Sequence, residues 1–131
     1  MTPASPHPRI LIVDDEPQIR GVVRAILETA HYEIDDCDDG SRVLERVAAW
    51  KPDLVITDLV MPDQEGIGLI RRLRQVYPDV GIIAMSGARG GAYLPVAKTM
   101  GASATIAKPF DPKTLLAQVR QVLQCSTGTT A

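Results

Sequence analysis

The sequence predicts an α/β fold, a parallel sheet doubly wound with helices on both faces. Two observations carry that prediction. Short apolar runs rich in β-branched residues alternate five times with longer stretches of helical period, the pattern of a parallel sheet joined by crossover helices. Three of the runs are apolar almost throughout, as strands are when helices cover both their faces. At 131 residues the chain can bury one well-filled core but not a second module of useful size, so a single domain is expected to carry the function.

A Pro-rich lead, residues 1–8, is expected to be disordered. The first strand is expected over 9–13 (RILIV). Pro17 suits a first helical turn. After it, Ile19, Val22, Val23, Ile26, Leu27 and Ala30 recur at three- and four-residue steps, with Arg20, Arg24 and Glu28 on the other, solvent side. A second strand is expected over 32–36 and a helix over 41–50. The third strand, 53–57 (DLVIT), leads to a helix over 65–77, and the fourth, 80–85 (VGIIAM), to a helix over 92–100. Gly87, Gly90 and Gly91 lie ahead of that helix and make its entry flexible. A fifth strand over 104–107 precedes a last helix over 112–124, where Leu115, Leu116, Val119, Val122 and Leu123 keep helical spacing. The folded unit is thus expected over 9–124, with 125–131 a disordered polar tail. The first, third and fourth strands, being the most apolar, are expected at the centre. Right-handed crossovers make this succession a three-layer, flavodoxin-like sheet of five parallel strands in order 2-1-3-4-5.

Composition narrows the function. A formal charge of -2 and scattered Lys and Arg leave no basic footprint for nucleic acid. No apolar run approaches the roughly 18 residues of a membrane span, and the N-terminus lacks a basic segment leading into an apolar one; a cytoplasmic location is expected. Cys37 and Cys125 have no partners at metal-ligand spacing and read as free thiols. His7 and His31 stand alone and read as neither catalytic nor ligating.

Ligands of doubly wound sheets bind beyond the carboxyl ends of the strands, where strand order reverses. At those ends the sequence places Asp14, Asp15 and Glu16 after the first strand and Asp58 after the third. Ser86 and Gly87 follow the fourth, and Lys108 and Pro109 the fifth. Each has an ordinary explanation taken singly, such as a helix cap, a turn or a solvated charge. Crowded carboxylates, however, repel one another and call for a cation beyond the single Lys108. Oxygen ligands without Cys or His suit Mg²⁺, which keeps several waters and shares its shell with phosphate. Within such a set a carboxylate can act as nucleophile toward phosphorus.

These residues resemble the receiver domain of two-component response regulators, over about 9–123. The matching pieces are VDDE ending at Glu16, TDLVMPDQEG around Asp58, MSG at Ser86, GAS at Gly101 and KPF at Lys108. The resemblance implies that Asp58 accepts a phosphoryl group from a histidine kinase or a histidine phosphotransfer protein, in a Mg²⁺-dependent reaction. It implies Mg²⁺ on Asp14, Asp15, Asp58 and the backbone carbonyl of Val60, with Asp15 a direct ligand and Asp14 acting through water. Lys108 pairs with Asp58 and then with the phosphoryl group, Ser86 turns its hydroxyl onto it, and the N–H groups of Leu59 and Gly87 donate to its oxygens. Pro109 is expected to follow a cis bond. A switch rather than an enzyme is expected, a monomer or weak dimer whose phosphate changes the binding of a protein partner that the sequence does not name.

Three positions depart from the family pattern. Thr105 stands where many receivers carry an aromatic, three residues before the lysine, so the readout must use other elements; phosphorylation is expected to order residues 87–91. Val60 and Ala88 cannot hydrogen-bond a water through their side chains, which implies slow loss of the phosphoryl group. The run DDCDDG over 35–40 reads as a solvated strand end and loop. Rival readings are a phosphorylation-independent protein-binding module of the same fold and an aspartyl-phosphate phosphohydrolase. The hydrolase typically has a second Asp where this chain has Val60.

Overall fold

In the computed structural model, residues 7–59, 66–87 and 94–127 are described. Strands β1 (Arg9–Val13), β2 (Glu33–Cys37), β3 (Leu54–Asp58), β4 (Gly81–Ser86) and β5 (Ala104–Ala107) alternate with helices α1 (Pro17–Glu28), α2 (Val43–Trp50), α3 (Gly66–Val76), α4 (Leu94–Met100) and α5 (Pro112–Thr127). All strand pairs are parallel, in the order β2-β1-β3-β4-β5, as the sequence predicts, with the three most apolar strands inside.

Alternation along the strands divides the core in two. Leu11, Val13, Val55, Ile82 and Ala84 face α2, α3 and α4 through Val43, Val47, Leu69, Ile70, Leu73 and Ala97. Ile10, Ile12, Leu54, Ile56, Ile83 and Met85 face α1 and α5 through Val23, Leu27, Leu115, Val119 and Val122. Every residue of β3 and β4 is buried, so each strand has helices over both faces. One contact explains a glycine: a β-carbon at Gly81 would sit 2.7 Å from Val122 Cγ1, so α5 can pack this close to β4 only over a residue without a side chain.

Element ends differ from expectation in a few places. The edge strand β2 runs to Cys37, because its backbone follows β1 as far as Val13↔Cys37. A 3₁₀ turn, Gly40–Arg42, leads into α2, with the Asp39 side chain accepting from the Ser41 N–H at 2.8 Å. The expected tail boundary at 125 falls inside α5, which continues to Thr127. His7 and Pro8, counted with the disordered lead, are tied down: His7 Nδ1 lies 3.0 Å from the His31 carbonyl, and the Pro8 carbonyl accepts from the Glu33 N–H. Residues 1–6, 60–65, 88–93 and 128–131 lie outside the described set, and with them Val60, Ala88, Gly90 and Gly91. No described helix is long and apolar enough to cross a membrane.

Candidate functional site

The register of the sheet builds the site before any side chain is considered. Val13 pairs with Thr57 and Asp58 with Met85, while Ser86 pairs with Ala107. Asp14 and Asp58 therefore leave β1 and β3 abreast, and Lys108 leaves β5 one residue past the Ser86 pair. Parity adds to this: Asp14, Asp58 and Lys108 continue the strand positions that face α1 and α5, whereas Ser86 continues the positions that face the other layer.

The side chains meet accordingly. Lys108 Nζ lies 3.2 Å from Asp14 Oδ2 and 3.5 Å from Asp58 Oδ2. Asp14 is fully buried, and Asp58 and Ser86 are nearly so. Asp14, Asp15 and Glu16 each bring a carboxylate oxygen within 4.8 Å of the others, from buried, half-buried and exposed positions respectively. Asp14, Asp15 and Asp58 against Lys108 make three carboxylates to one ammonium. Such a balance in a buried cleft favours a further cation, and an all-oxygen set graded from buried to exposed fits a hard divalent ion that keeps part of its water.

Backbone bonds fix the frame. The Asp14 N–H donates to the Cys37 carbonyl at 3.2 Å and the Lys108 N–H to the Ser86 carbonyl at 2.8 Å. The Lys108–Pro109 bond is cis, as the resemblance implied. Thr57 Oγ1 donates to the Asp58 carbonyl at 3.1 Å and Ser86 Oγ to the Gly87 carbonyl at 3.3 Å. Asp14 also serves the local role any Asp here could have: its Oδ1 accepts the Glu16 N–H at 2.9 Å at the entry to α1.

The structure adds detail to three readings. The Leu59 N–H, expected among the donors to a phosphoryl group, is engaged by the Met85 carbonyl at 3.0 Å; in this arrangement it belongs to the β3–β4 ladder. Arg20, placed on the solvent side of α1 by periodicity, instead folds back with its side chain 19% exposed and donates from Nη1 to the Asp14 carbonyl at 2.7 Å. Helical spacing cannot reveal that reach; only the reversal of the chain between β1 and α1 brings the two together. In the acidic run that ends β2 and continues past it, Asp35 and Asp36 are half-buried and paired, whereas Asp38 is exposed. Asp35 pairs with Arg46. Asp36 pairs with Arg24 at 2.7 Å, which holds that guanidinium more firmly protonated than usual. Cys37, the last residue of β2, is buried, and burial pushes its thiol pKa up.

The described geometry thus brings Asp14, Asp58 and Lys108 into contact, with Asp15 beside Asp14 and Ser86 at the adjoining strand end. A protein-family model for the response regulator receiver domain matches residues 10–120. The chain belongs to that family. Among proteins similar to this receiver, the DNA-binding transcriptional regulator NtrC of Azospirillum brasilense is 36% identical over 118 residues, 90% of this chain but 24% of that protein. Response regulator MprA of Mycolicibacterium vanbaalenii is 31% identical over 91% of this chain and 52% of its own length. Against such relatives the receiver spans a quarter to about half of the whole. The response regulator receiver protein CpdR of Brucella abortus is matched over 96% of its length, at 30% identity over 88% of this chain. A CheY-like receiver domain protein from Methanospirillum hungatei superimposes with a TM-score of 0.87 at 28% identity, covering 94% of this chain and 98% of that one. As a receiver, the chain is a phospho-accepting signalling switch.

Proposed function

We propose that Asp58 is the phosphoacceptor of this receiver and that Mg²⁺ supports the transfer from the neighbouring acidic cluster. The observation that carries this reading is the placement of Lys108 Nζ between the nearly buried carboxylates of Asp58 and Asp14. In the transfer, an Asp58 carboxylate oxygen forms a bond to phosphorus as the phosphorus–nitrogen bond of a donor phosphohistidine breaks, and the imidazole leaves with the bonding pair. The donor is a histidine kinase or a histidine phosphotransfer protein. Lys108 follows the charge from the carboxylate to the equatorial oxygens, and the Ser86 hydroxyl, now turned to Gly87, is close enough in the chain to be redirected onto them. The Gly87 N–H serves as a backbone donor, and that of Leu59 joins it only if its bond to Met85 is shared or given up.

Asp14, Asp15 and Asp58 would hold the cation, with the Val60 carbonyl as the expected fourth protein ligand. When bound, the cation offsets the charge that develops between the carboxylate and the incoming phosphoryl group. Transfer is stoichiometric, so the chain acts as a switch rather than an enzyme, in the cytoplasm, through a protein partner and without direct contact to nucleic acid. Incubation with acetyl phosphate and Mg²⁺ should add one phosphoryl mass to the wild type and none to Asp58→Asn. An equal mass gain in both would overturn the assignment of Asp58. Continuous release of phosphate at high turnover would favour a hydrolase.

A further inference from the structure

We infer that Arg20 is a positioning residue for the cation site, acting through the peptide that joins Asp14 to Asp15. This inference rests on the metal-assisted reading above and extends it to a residue outside the acidic set. Three observations lead to it.

First, the Asp14 peptide groups are held from two elements. The Asp14 N–H is bound by the end of β2 through the Cys37 carbonyl, and the Asp14 carbonyl by the Arg20 guanidinium at 2.7 Å. That carbonyl belongs to the Asp14–Asp15 peptide, so fixing it fixes the plane that carries the Asp15 nitrogen and α-carbon, from which the Asp15 side chain leaves.

Second, the described residues give the Asp15 carboxylate no restraint of its own. Asp14 is locked by Lys108 and by the Glu16 N–H. Among the described residues, no hydrogen bond or ion pair holds the carboxylate of Asp15. Its aim therefore depends on the backbone that the Cys37 carbonyl and Arg20 hold on either side of Asp14.

Third, Arg20 is itself held. Its Nε lies 3.8 Å from Asp36 Oδ1, and Asp36 is gripped from its other oxygen by Arg24 at 2.7 and 3.2 Å. A planar guanidinium steadied on one edge by a carboxylate presents its remaining donors in a set direction, which a lysine ammonium reproduces only in part and a shorter amide does not. The chain of contacts therefore runs from the end of β2 through Arg20 to the peptide between the two metal-facing aspartates. Groups that orient ligands rather than touch the ion commonly govern affinity by about ten- to a hundredfold.

The test is a calorimetric titration of the intact chain with MgCl₂ and no phosphodonor. Arg20→Met should bind Mg²⁺ about tenfold more weakly than the wild type, and Arg20→Lys should recover part of the loss. In phosphorylation by acetyl phosphate, the half-saturating Mg²⁺ concentration should rise by the same factor while the rate at saturating Mg²⁺ changes little. A merely structural residue would lower the rate at saturating Mg²⁺ as well. Arg20→Gln, helix-favouring but too short to reach the carbonyl, takes its place if Arg20→Met does not fold. Mg²⁺ affinity within about twofold of wild type in the folded variant would overturn the role of Arg20. If the wild type itself takes no phosphoryl group or binds no Mg²⁺, the underlying reading fails instead, so the two failures are distinct.

Discussion

At the scale of single residues, Lys108 balances two buried carboxylates at once. Its ammonium, 15% exposed, lies within 3.5 Å of two carboxylates that are almost out of contact with water. Removing one member of such a group leaves the rest buried without compensation, which costs more than the intact pairing ever contributed. Lys108→Met keeps the length and apolar stem of the side chain while deleting the charge. In chelator it should lower unfolding free energy by about 3 kcal/mol, measured by urea titration with its slope unchanged. Added Mg²⁺ should recover part of that loss, because a cation in the pocket faces the same oxygens. An unchanged denaturation midpoint in chelator would mean that Asp14 and Asp58 are not balanced by this lysine. The aspartates, Ser86 and Lys108 were legible in the sequence because each ends an apolar run, and strand ends are where a doubly wound sheet assembles its ligands. Arg20 and the engaged Leu59 N–H were not legible, since a long side chain's direction and a ladder bond's extent are settled only when distant segments pack.

At the scale of elements, helix entry supplies a pH-dependent handle away from the site. Asp111 stands before α5, and its Oδ1 accepts the Thr114 N–H at 2.7 Å. The bond stabilises the charged carboxylate and holds its pKa below the usual value, with the Thr114 backbone as the main cause. A depressed folded pKa means that the cap contributes above the ordinary carboxylate pKa and is lost as pH falls through the folded value. Asp111→Ala should therefore lower the melting temperature at neutral pH and have progressively less effect as pH drops below about 4. Amide exchange at Lys113 and Thr114 should rise in step. A deficit that persists undiminished in acid would show that the side chain works by something other than its charge. The same scale shows where prediction drifted. The apolar runs of β1, β3 and β4 declared themselves, being buried on both faces. The polar edge strand β2 and the end of α5 were misplaced by one to three residues, because β2 owes its length to pairing with β1 and α5 meets no Pro or Gly before Gly128. The turn after α4 depends on tertiary contact. Gly101 adopts a φ of +128° with a would-be β-carbon 2.9 Å from Arg74. The Arg74 guanidinium in turn donates to the carbonyls of Gly101, Pro78 and Val80.

At the scale of the whole molecule, the site and the fold are one thermodynamic system. The pocket exists only when β1, β3 and β5 are in register, for it draws Asp14, Asp58 and Lys108 from strand ends up to 94 residues apart. An unfolded chain presents the same carboxylates without their convergence, so a cation that recognises the cluster binds the native state and shifts the folding equilibrium toward it. At a concentration a hundredfold above its dissociation constant, Mg²⁺ should add about 2.7 kcal/mol. For a domain of this size that amounts to roughly 10 °C in melting temperature. The shift should grow with the logarithm of Mg²⁺ concentration, vanish in chelator and be absent in Asp15→Ala, which removes a half-buried carboxylate from the cluster while leaving the Lys108 pairing in place. Because Asp58 sits in the same pocket, Asp58→Asn should reduce the shift as well. A melting temperature indifferent to Mg²⁺ in the wild type would mean that the three carboxylates are satisfied by Lys108 and the local backbone alone, and the metal-assisted transfer would lose its physical basis.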